Sequence, residues 1–126
     1  MYRLTVRDHM MVAHSLPHPA FGPAQQLHGA TFVVELTITR RDLDDAGIVI
    51  DIGEATTLLR EALADLDYTN LDDHPDLAGT LTTTETLARV VAERVAARLA
   101  PGVYAGLDVV LREHPDAWAG YAMDLG

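Results

Sequence analysis

The sequence predicts an α+β fold in which a four-stranded antiparallel sheet carries two helices on one face. Two observations predict it: segments with a two-residue apolar period lie towards both ends of the chain, and two segments with helical spacing lie between them. The resulting order of strand, strand, helix, helix, strand, strand gives one sheet layer and one helix layer. We expect residues 1–126 to form a single domain, because this length suffices for one core but not for two.

Four segments alternate apolar and polar residues, which is the period of a strand with one buried face. Their apolar positions are Tyr2, Leu4 and Val6; Phe32, Val34, Leu36 and Ile38; Val103, Ala105, Leu107, Val109 and Leu111; and Ala119, Tyr121, Met123 and Leu125. The third alternation continues to Glu113, so this carboxylate is predicted on the apolar face of its strand. The run Ile48-Val49-Ile50 is predicted as a short strand or extended chain.

Both helices are predicted from capping-box spacing followed by an apolar stripe. Asp51 and Glu54 are three residues apart, and a first helix is expected from about Gly53 to Asp65. Thr82 and Glu85 repeat this spacing before a second stripe. Pro and Gly at positions 101 and 102 end the second helix, since proline cannot continue it.

Composition excludes several classes of function. The net charge of −10 argues against nucleic-acid binding, which needs a basic face. The absence of cysteine removes disulfides, thiolate ligands and a thiol nucleophile. No run of 18 apolar residues occurs, so no membrane partner is expected. The chain starts directly with an alternating segment and not with an apolar signal core, which favours a cytoplasmic location.

A loop rich in proline and glycine joins the first two predicted strands, between Ala13 and Phe32. It carries three of the six histidines, His14, His18 and His28. Loops held between regular elements are frequent positions for binding and catalytic residues. The three imidazoles are candidates for holding a metal, for acid–base work or for simple packing.

Short motifs occur along almost the whole chain in a fixed order. They are Val12-Ala13-His14, Leu27-His28-Gly29, Gly47-Ile48-Val49-Ile50-Asp51, Leu66-Asp67, Asn70-Leu71, Thr83-Thr84-Glu85 and Glu113 before Pro115. As a set they resemble the 6-pyruvoyltetrahydropterin synthase family, which includes bacterial 6-carboxytetrahydropterin synthase.

The resemblance implies a tunnelling fold, in which the sheets of several subunits join into a barrel. It implies a homo-oligomer, a trimer or a hexamer, with sites at subunit interfaces. It also implies a small-molecule substrate similar to dihydroneopterin triphosphate and a zinc ion held by three histidines. In such proteins a Cys and an Asp–His pair move protons, while a Glu grips the pterin ring.

The chain departs from that pattern at four positions. Ala30 stands at the third metal position, Ala24 at the Cys of the bacterial relatives, Tyr68 at the His of the Asp–His pair, and Thr86 at an Asn. Because a catalytic zinc takes three protein ligands and one open position, two imidazoles bind it more weakly. We therefore expect no cofactor, or zinc at reduced affinity on His14 and His28, with His18 as a third candidate ligand.

Two groups of site residues follow from the resemblance and from their chemistry. The catalytic candidates are His14, His28, Asp67 and Tyr68, and the substrate-binding candidates are Glu113, Thr83, Thr84 and Glu85. An inward carboxylate needs a partner rich in hydrogen-bond donors, such as a flat heterocycle. The start of a helix adds free N–H groups. The capping box also explains Glu85 without a ligand, and Tyr68 is also explained by packing on a neighbouring subunit.

Three hypotheses for the function stand together. The leading one is a repurposed, zinc-independent enzyme that performs lyase, cyclase or aldol-type acid–base chemistry on a carbonyl or heterocyclic substrate. The second is an authentic zinc-dependent 6-carboxy- or 6-pyruvoyltetrahydropterin synthase. The third is a non-catalytic pterin-binding or scaffold subunit.

Overall fold

The computed structural model describes all residues from 1 to 126. Its elements in chain order are β1 (Tyr2–His14), a 3₁₀ segment (Pro19–Gln25), β2 (His28–Arg40), α1 (Ile52–Leu63), β3 (Thr69–Asn70), a 3₁₀ turn (Leu71–Asp73), α2 (Thr84–Ala96), β4 (Gly106–His114) and β5 (Ala117–Asp124). This order confirms the predicted α+β class with two helices between strand pairs.

The sheet has the strand order β3-β1-β2-β4-β5. The four long strands pair in antiparallel fashion, as predicted. The fifth strand, β3, was not predicted, and it pairs in parallel with β1 only at Val12 and Ala13. A two-residue strand carries no periodicity, so its sequence offers no signal that alternation can reveal.

One face of the sheet is covered by the two helices, and the core lies between these layers. The inward residues Phe32, Val34, Leu36 and Ile38 of β2 are all buried, as their alternation predicted. Helix α1 packs on β1, and α2 packs on β4 and β5. Burial of one such aliphatic or aromatic side chain stabilises the fold by about 1.5–3 kcal/mol.

The two helix starts differ from each other in how well the capping box predicted them. Asp51 caps α1, since its carboxylate accepts the N–H of Glu54 at 2.9 Å, and this prediction is confirmed. Helix α1 ends at Leu63, two residues earlier than expected. The N-cap of α2 is Thr83, one residue after the predicted Thr82. Thr82 is therefore free for another role.

Two strand predictions are corrected by the structure. Residues 48–50 are irregular chain with a bend at Val49 and Ile50 and are not a strand, although these two residues are buried against the core. Strand β4 begins at Gly106 and not near Val103, because a turn with Gly102 at φ +75° precedes it. Gly106 itself lies so close to β5 that a Cβ there would approach a backbone carbonyl at 2.8 Å.

The sheet face opposite the helices is polar and is held by contacts between strands. Glu35 accepts hydrogen bonds from Arg7 at 3.1 Å and from Arg112 at 2.7 Å. The Arg112 guanidinium also lies 4.2 Å from the centroid of the Trp118 ring, a cation–π distance. We call this side the open face. None of the helices is both long and apolar enough to span a bilayer.

Candidate active site

The histidine pair His14 and His28 lies where β1 ends and β2 begins. The two residues are register partners across the antiparallel ladder, and their ring centroids are 4.7 Å apart. His14 is only 2% exposed, and its ring also lies edge-on to Phe32 at 6.3 Å. The structure thus brings together the two histidines that the resemblance assigns to one metal site.

Only one ring nitrogen of His14 has a partner in the chain. Nδ1 lies 2.9 Å from Oγ1 of Thr82, whereas Nε2 is buried and makes no hydrogen bond. Burial, with the neighbouring His28, lowers the pKa of the His14 imidazole, against the opposing influence of Thr82, Asp72 and Glu113. The ring is therefore neutral at pH 7, with an unpartnered nitrogen next to a second imidazole.

The hydrogen-bond partner of His28 fixes its tautomer. Nδ1 lies 2.8 Å from the backbone carbonyl of Gln26, and a carbonyl can only accept a hydrogen bond. Nδ1 of His28 must therefore carry a hydrogen. In the neutral ring this leaves Nε2 as an acceptor with a lone pair.

The chain brings no third zinc ligand to the His14–His28 pair. Ala30 follows His28 by two residues on the same strand, so it shares its face but offers no donor atom. His18, the candidate replacement, is exposed and turns to its own loop: its Nδ1 accepts the N–H of Ala20 at 3.0 Å, and its ring contacts Phe21. The unpartnered Nε2 of His14 suits a metal, but two imidazoles do not supply the three-ligand set.

One group of three metal-type side chains does exist elsewhere in the chain. Asp65, His74 and Asp76 place ligand atoms within 4.8 Å of one another. Arg94 forms ion pairs with both aspartates, and His74 pairs with Asp65 at 3.0 Å. These contacts already engage both carboxylates, so the cluster is explained as a hydrogen-bonded ion-pair network that ties α2 to the preceding loop.

Three of the four substrate-binding candidates, Thr84, Glu85 and Glu113, line a cleft at the start of α2 with a volume of about 200 Å³. Oγ1 of Thr84 donates to a carboxylate oxygen of Glu113 at 3.2 Å, and Glu85 and Trp118 also line the cleft. Glu113 is exposed, whereas the alternation predicted it on the buried face. The β4–β5 pairing shifts register between Arg112 and His114, and this irregularity places Glu113 outside the regular ladder.

Thr83 is occupied by the helix that it precedes. Its hydroxyl accepts the N–H of Thr86 at 3.2 Å and donates to the Thr86 hydroxyl at 3.0 Å. Of the three consecutive residues predicted here, the side chains of Thr84 and Glu85 therefore reach the cleft, whereas that of Thr83 caps α2.

Asp67 and Tyr68 lie at the outer edge of β1, beside Met11. The Asp67 carboxylate accepts the Met11 N–H at 2.9 Å and pairs with Arg60 at 3.3 Å. The Tyr68 N–H donates to the Met11 carbonyl at 2.7 Å, which holds Tyr68 at φ +59°, in the left-handed region. Its side chain is 78% exposed, and its hydroxyl makes no hydrogen bond within the chain. The structure does not bring this phenol to the histidine pair.

Sequence analysis missed three residues around the site. Thr82 was interpreted as a helix cap, although it contacts His14 from 68 positions away. Asp72 accepts hydrogen bonds from both the backbone and the hydroxyl of Ser15, the residue after His14. Trp118 was not singled out because it lies on a strand end between small residues. Only the fold brings such distant residues together.

Comparison with known protein families gives one match over nearly the whole chain. The family model described as 6-pyruvoyl tetrahydropterin synthase matches residues 3–124. The 6-carboxy-5,6,7,8-tetrahydropterin synthase of Bacillus subtilis is 29% identical over 126 residues, covering 95% of this chain and 84% of the relative. The 6-pyruvoyl tetrahydrobiopterin synthase of Dictyostelium discoideum is 33% identical over 86 residues, covering 67% and 64%.

Solved structures share the fold at lower sequence identity. The 6-pyruvoyl tetrahydropterin synthase of Caenorhabditis elegans has a TM-score of 0.85 at 22% identity, covering 98% of this chain and 96% of its own. The Plasmodium falciparum enzyme has a TM-score of 0.82 at 15% identity, covering 98% of both chains. Dihydroneopterin aldolase of E. coli, solved with neopterin, has a TM-score of 0.57 at 12% identity over the full length of both chains. These likenesses confirm the predicted tunnelling fold.

Proposed function

Because the chain belongs to the 6-pyruvoyl tetrahydropterin synthase family, we propose that it is a small-molecule enzyme which acts on a pterin-like heterocycle by imidazole acid–base catalysis. The single observation that carries this proposal is the His14–His28 pair. It combines a buried, unpartnered Nε2 on His14 with an alanine at the position of a third ligand. The chemistry is of the lyase, cyclase or aldol type.

In the proposed reaction His14 is the general base. Its Nε2 takes a proton from a carbon next to a carbonyl group, and the C–H electron pair moves towards the carbonyl oxygen to give an enolate. The lowered pKa keeps the ring unprotonated and ready at pH 7. His28, whose ring lies beside that of His14, has its own Nε2 lone pair and is a second proton acceptor. It relays the proton when the proton is transferred back to the substrate.

The heterocycle is proposed to bind in the cleft at the start of α2. The Glu113 carboxylate accepts hydrogen bonds from ring N–H groups, and such charge-assisted bonds are stronger than neutral ones. Thr84 orients Glu113 through its hydroxyl, and Glu85 lies on the cleft wall. Trp118 offers an aromatic surface for a flat ring. Thr83 contributes by fixing the start of α2.

A homo-oligomer, a trimer or a hexamer, is proposed as the active form, with sites at subunit interfaces. The exposed phenol of Tyr68 projects from the sheet edge and has no partner in its own chain. Asp67 holds the adjacent backbone against β1. In the oligomer Tyr68 is proposed to reach the histidine pair of a neighbouring copy, where its hydroxyl protonates the enolate oxygen. The proposed pterin-like substrate is supported by two relatives, from Dictyostelium and Bacillus, which are both named as pterin synthases.

The experiment that tests the proposal measures metal, ligand and reaction on the same preparation. Native mass spectrometry of the full chain should give less than one zinc ion per chain, and chelator should leave neopterin binding unchanged. Turnover is then sought with dihydroneopterin triphosphate and carbonyl-bearing pterins, and His14→Asn should abolish it. His9→Asn is the matched control, since His9 is an exposed histidine of the same strand.

Full zinc occupancy, together with turnover of dihydroneopterin triphosphate that chelator abolishes, would refute the proposal. That result would favour the second candidate, an authentic zinc-dependent synthase. The unpartnered Nε2 of His14 and the 29% identity to the Bacillus synthase support this candidate. It requires a third ligand from outside the chain's own histidine pair.

A third outcome is pterin binding without any product, which would indicate a non-catalytic binding or scaffold subunit. The Tyr68→Phe variant separates this outcome from the proposed enzyme. In the enzyme, loss of the phenol hydroxyl lowers kcat, while in a binding subunit the same change leaves neopterin affinity and assembly unaltered.

A further inference from the structure

Thr82 and His14 are the two buried residues of the chain with polar side chains. Thr82 is 1% exposed, and its hydroxyl lies 2.9 Å from Nδ1 of His14. Because Thr83 caps α2, the Thr82 hydroxyl has no task in the helix. Its only hydrogen-bond partner is the imidazole that the proposed function uses as a base.

The surroundings of both ring nitrogens determine which of them carries the hydrogen in the neutral ring. A hydroxyl can donate or accept, so the contact with Thr82 Oγ1 alone leaves both tautomers open. The other ring nitrogen decides between them, because Nε2 is buried and has no hydrogen-bond partner in the chain. A hydrogen on Nε2 would be a buried donor without an acceptor, whereas a hydrogen on Nδ1 can be donated to Oγ1 of Thr82, so the neutral ring carries its hydrogen on Nδ1.

We infer that Thr82 is a positioning residue that holds the hydrogen of His14 on Nδ1 and thereby leaves Nε2 as an unprotonated base. His28 has the same arrangement, because the Gln26 carbonyl holds its hydrogen on Nδ1. The pair thus presents two Nε2 lone pairs. With the opposite tautomer, His14 would present a buried N–H that cannot abstract a proton. The inference rests on the proposed function for what Nε2 does, while the tautomer itself can be measured without a substrate.

The test compares Thr82→Val, which removes the hydroxyl at nearly constant shape, with Thr82→Ser, which restores it. Thr39→Val is the control, since it removes a partly buried hydroxyl bonded to the Gly106 carbonyl, far from the histidines. Long-range ¹H–¹⁵N NMR spectra at about pH 8, where imidazoles are neutral, report the tautomer of each ring. The full chain is used throughout, and Thr82→Ala is measured in the same way if Thr82→Val does not fold.

Wild type, Thr82→Ser and Thr39→Val are expected to show His14 with hydrogen on Nδ1, and Thr82→Val is expected to show a mixture. Loss of one hydrogen bond should lower kcat/KM about threefold to tenfold in Thr82→Val, with recovery in Thr82→Ser. An unchanged tautomer in Thr82→Val, or hydrogen on Nε2 in the wild type, would overturn the inference. A tautomer shift in a chain without any turnover upholds the role of Thr82 and counts against the proposed function instead.

Discussion

The unpartnered nitrogen of His14 should cost the protein stability, and replacing the polar pair by apolar residues should return it. In the double variant His14→Leu/Thr82→Val, both members of the buried pair become apolar with similar bulk. The double change removes one hydrogen bond, worth about 1 kcal/mol, and one orphaned buried nitrogen, which costs about 1–3 kcal/mol. The flanking residues Phe32, Val12 and Met10 are buried and apolar, so the new side chains enter a compatible environment.

The expected result is a gain of about 1 kcal/mol in the free energy of unfolding, with complete loss of activity. For a chain of this length that corresponds to an increase in Tm of about 3–5 °C. The measurement is urea unfolding followed by circular dichroism, with the two single variants measured alongside. Each single variant should be less stable than the double one, because it leaves the other polar group unpaired. A double variant less stable than wild type would refute the reasoning, since it would mean that Nε2 already has a partner.

Three further predictions concern other parts of the fold. The hydrogen bond from Arg112, with Arg7 on the other side, lowers the pKa of Glu35 from its ordinary 4.5. Glu35→Gln should therefore destabilise the chain by about 0.5–1 kcal/mol at pH 7. This loss of stability should vanish in unfolding curves taken at pH values below the lowered pKa, where Glu35 is protonated in both the folded and the unfolded state. Glu113→Gln should weaken neopterin binding roughly tenfold or more in calorimetry, while Glu61→Gln, a change of an exposed carboxylate on α1, should not. Gly106→Ala should cost about 1–3 kcal/mol in urea unfolding, because its Cβ would meet the facing β5 carbonyl at 2.8 Å; an unaltered midpoint would contradict this packing.

The fold was predictable wherever a whole face of an element is buried. Strand β2 shows this most clearly, because its inward positions from Phe32 to Ile38 all meet the helix layer and therefore alternate strictly. The cap of α1 at Asp51 was predictable for a local reason, since its partner is only three residues away. Patterns that arise from contacts within a few residues can be recognised in the sequence.

The details of the site were less predictable, because they depend on distant contacts and local irregularities. The capping-box spacing before α2 favours Thr82, because Glu85 follows it by three residues, but in the fold Thr83 is the cap and Thr82 contacts His14. Glu113 follows the alternation of β4, but the register shift beside it breaks the period. Nothing local predicts the left-handed backbone of Tyr68, which the Met11 carbonyl on another strand holds in place.

The two sides of the sheet can diverge in evolution at different rates and by different steps. On the helix side each inward residue touches many neighbours, so a change there must be accommodated by several others. On the open face each side chain contacts only a few others, as between Thr5 and Thr37, whose hydroxyls lie 2.7 Å apart. Exchanges of that kind need one compensating substitution. A lineage can therefore remodel the open face while the layer that carries the histidines stays intact.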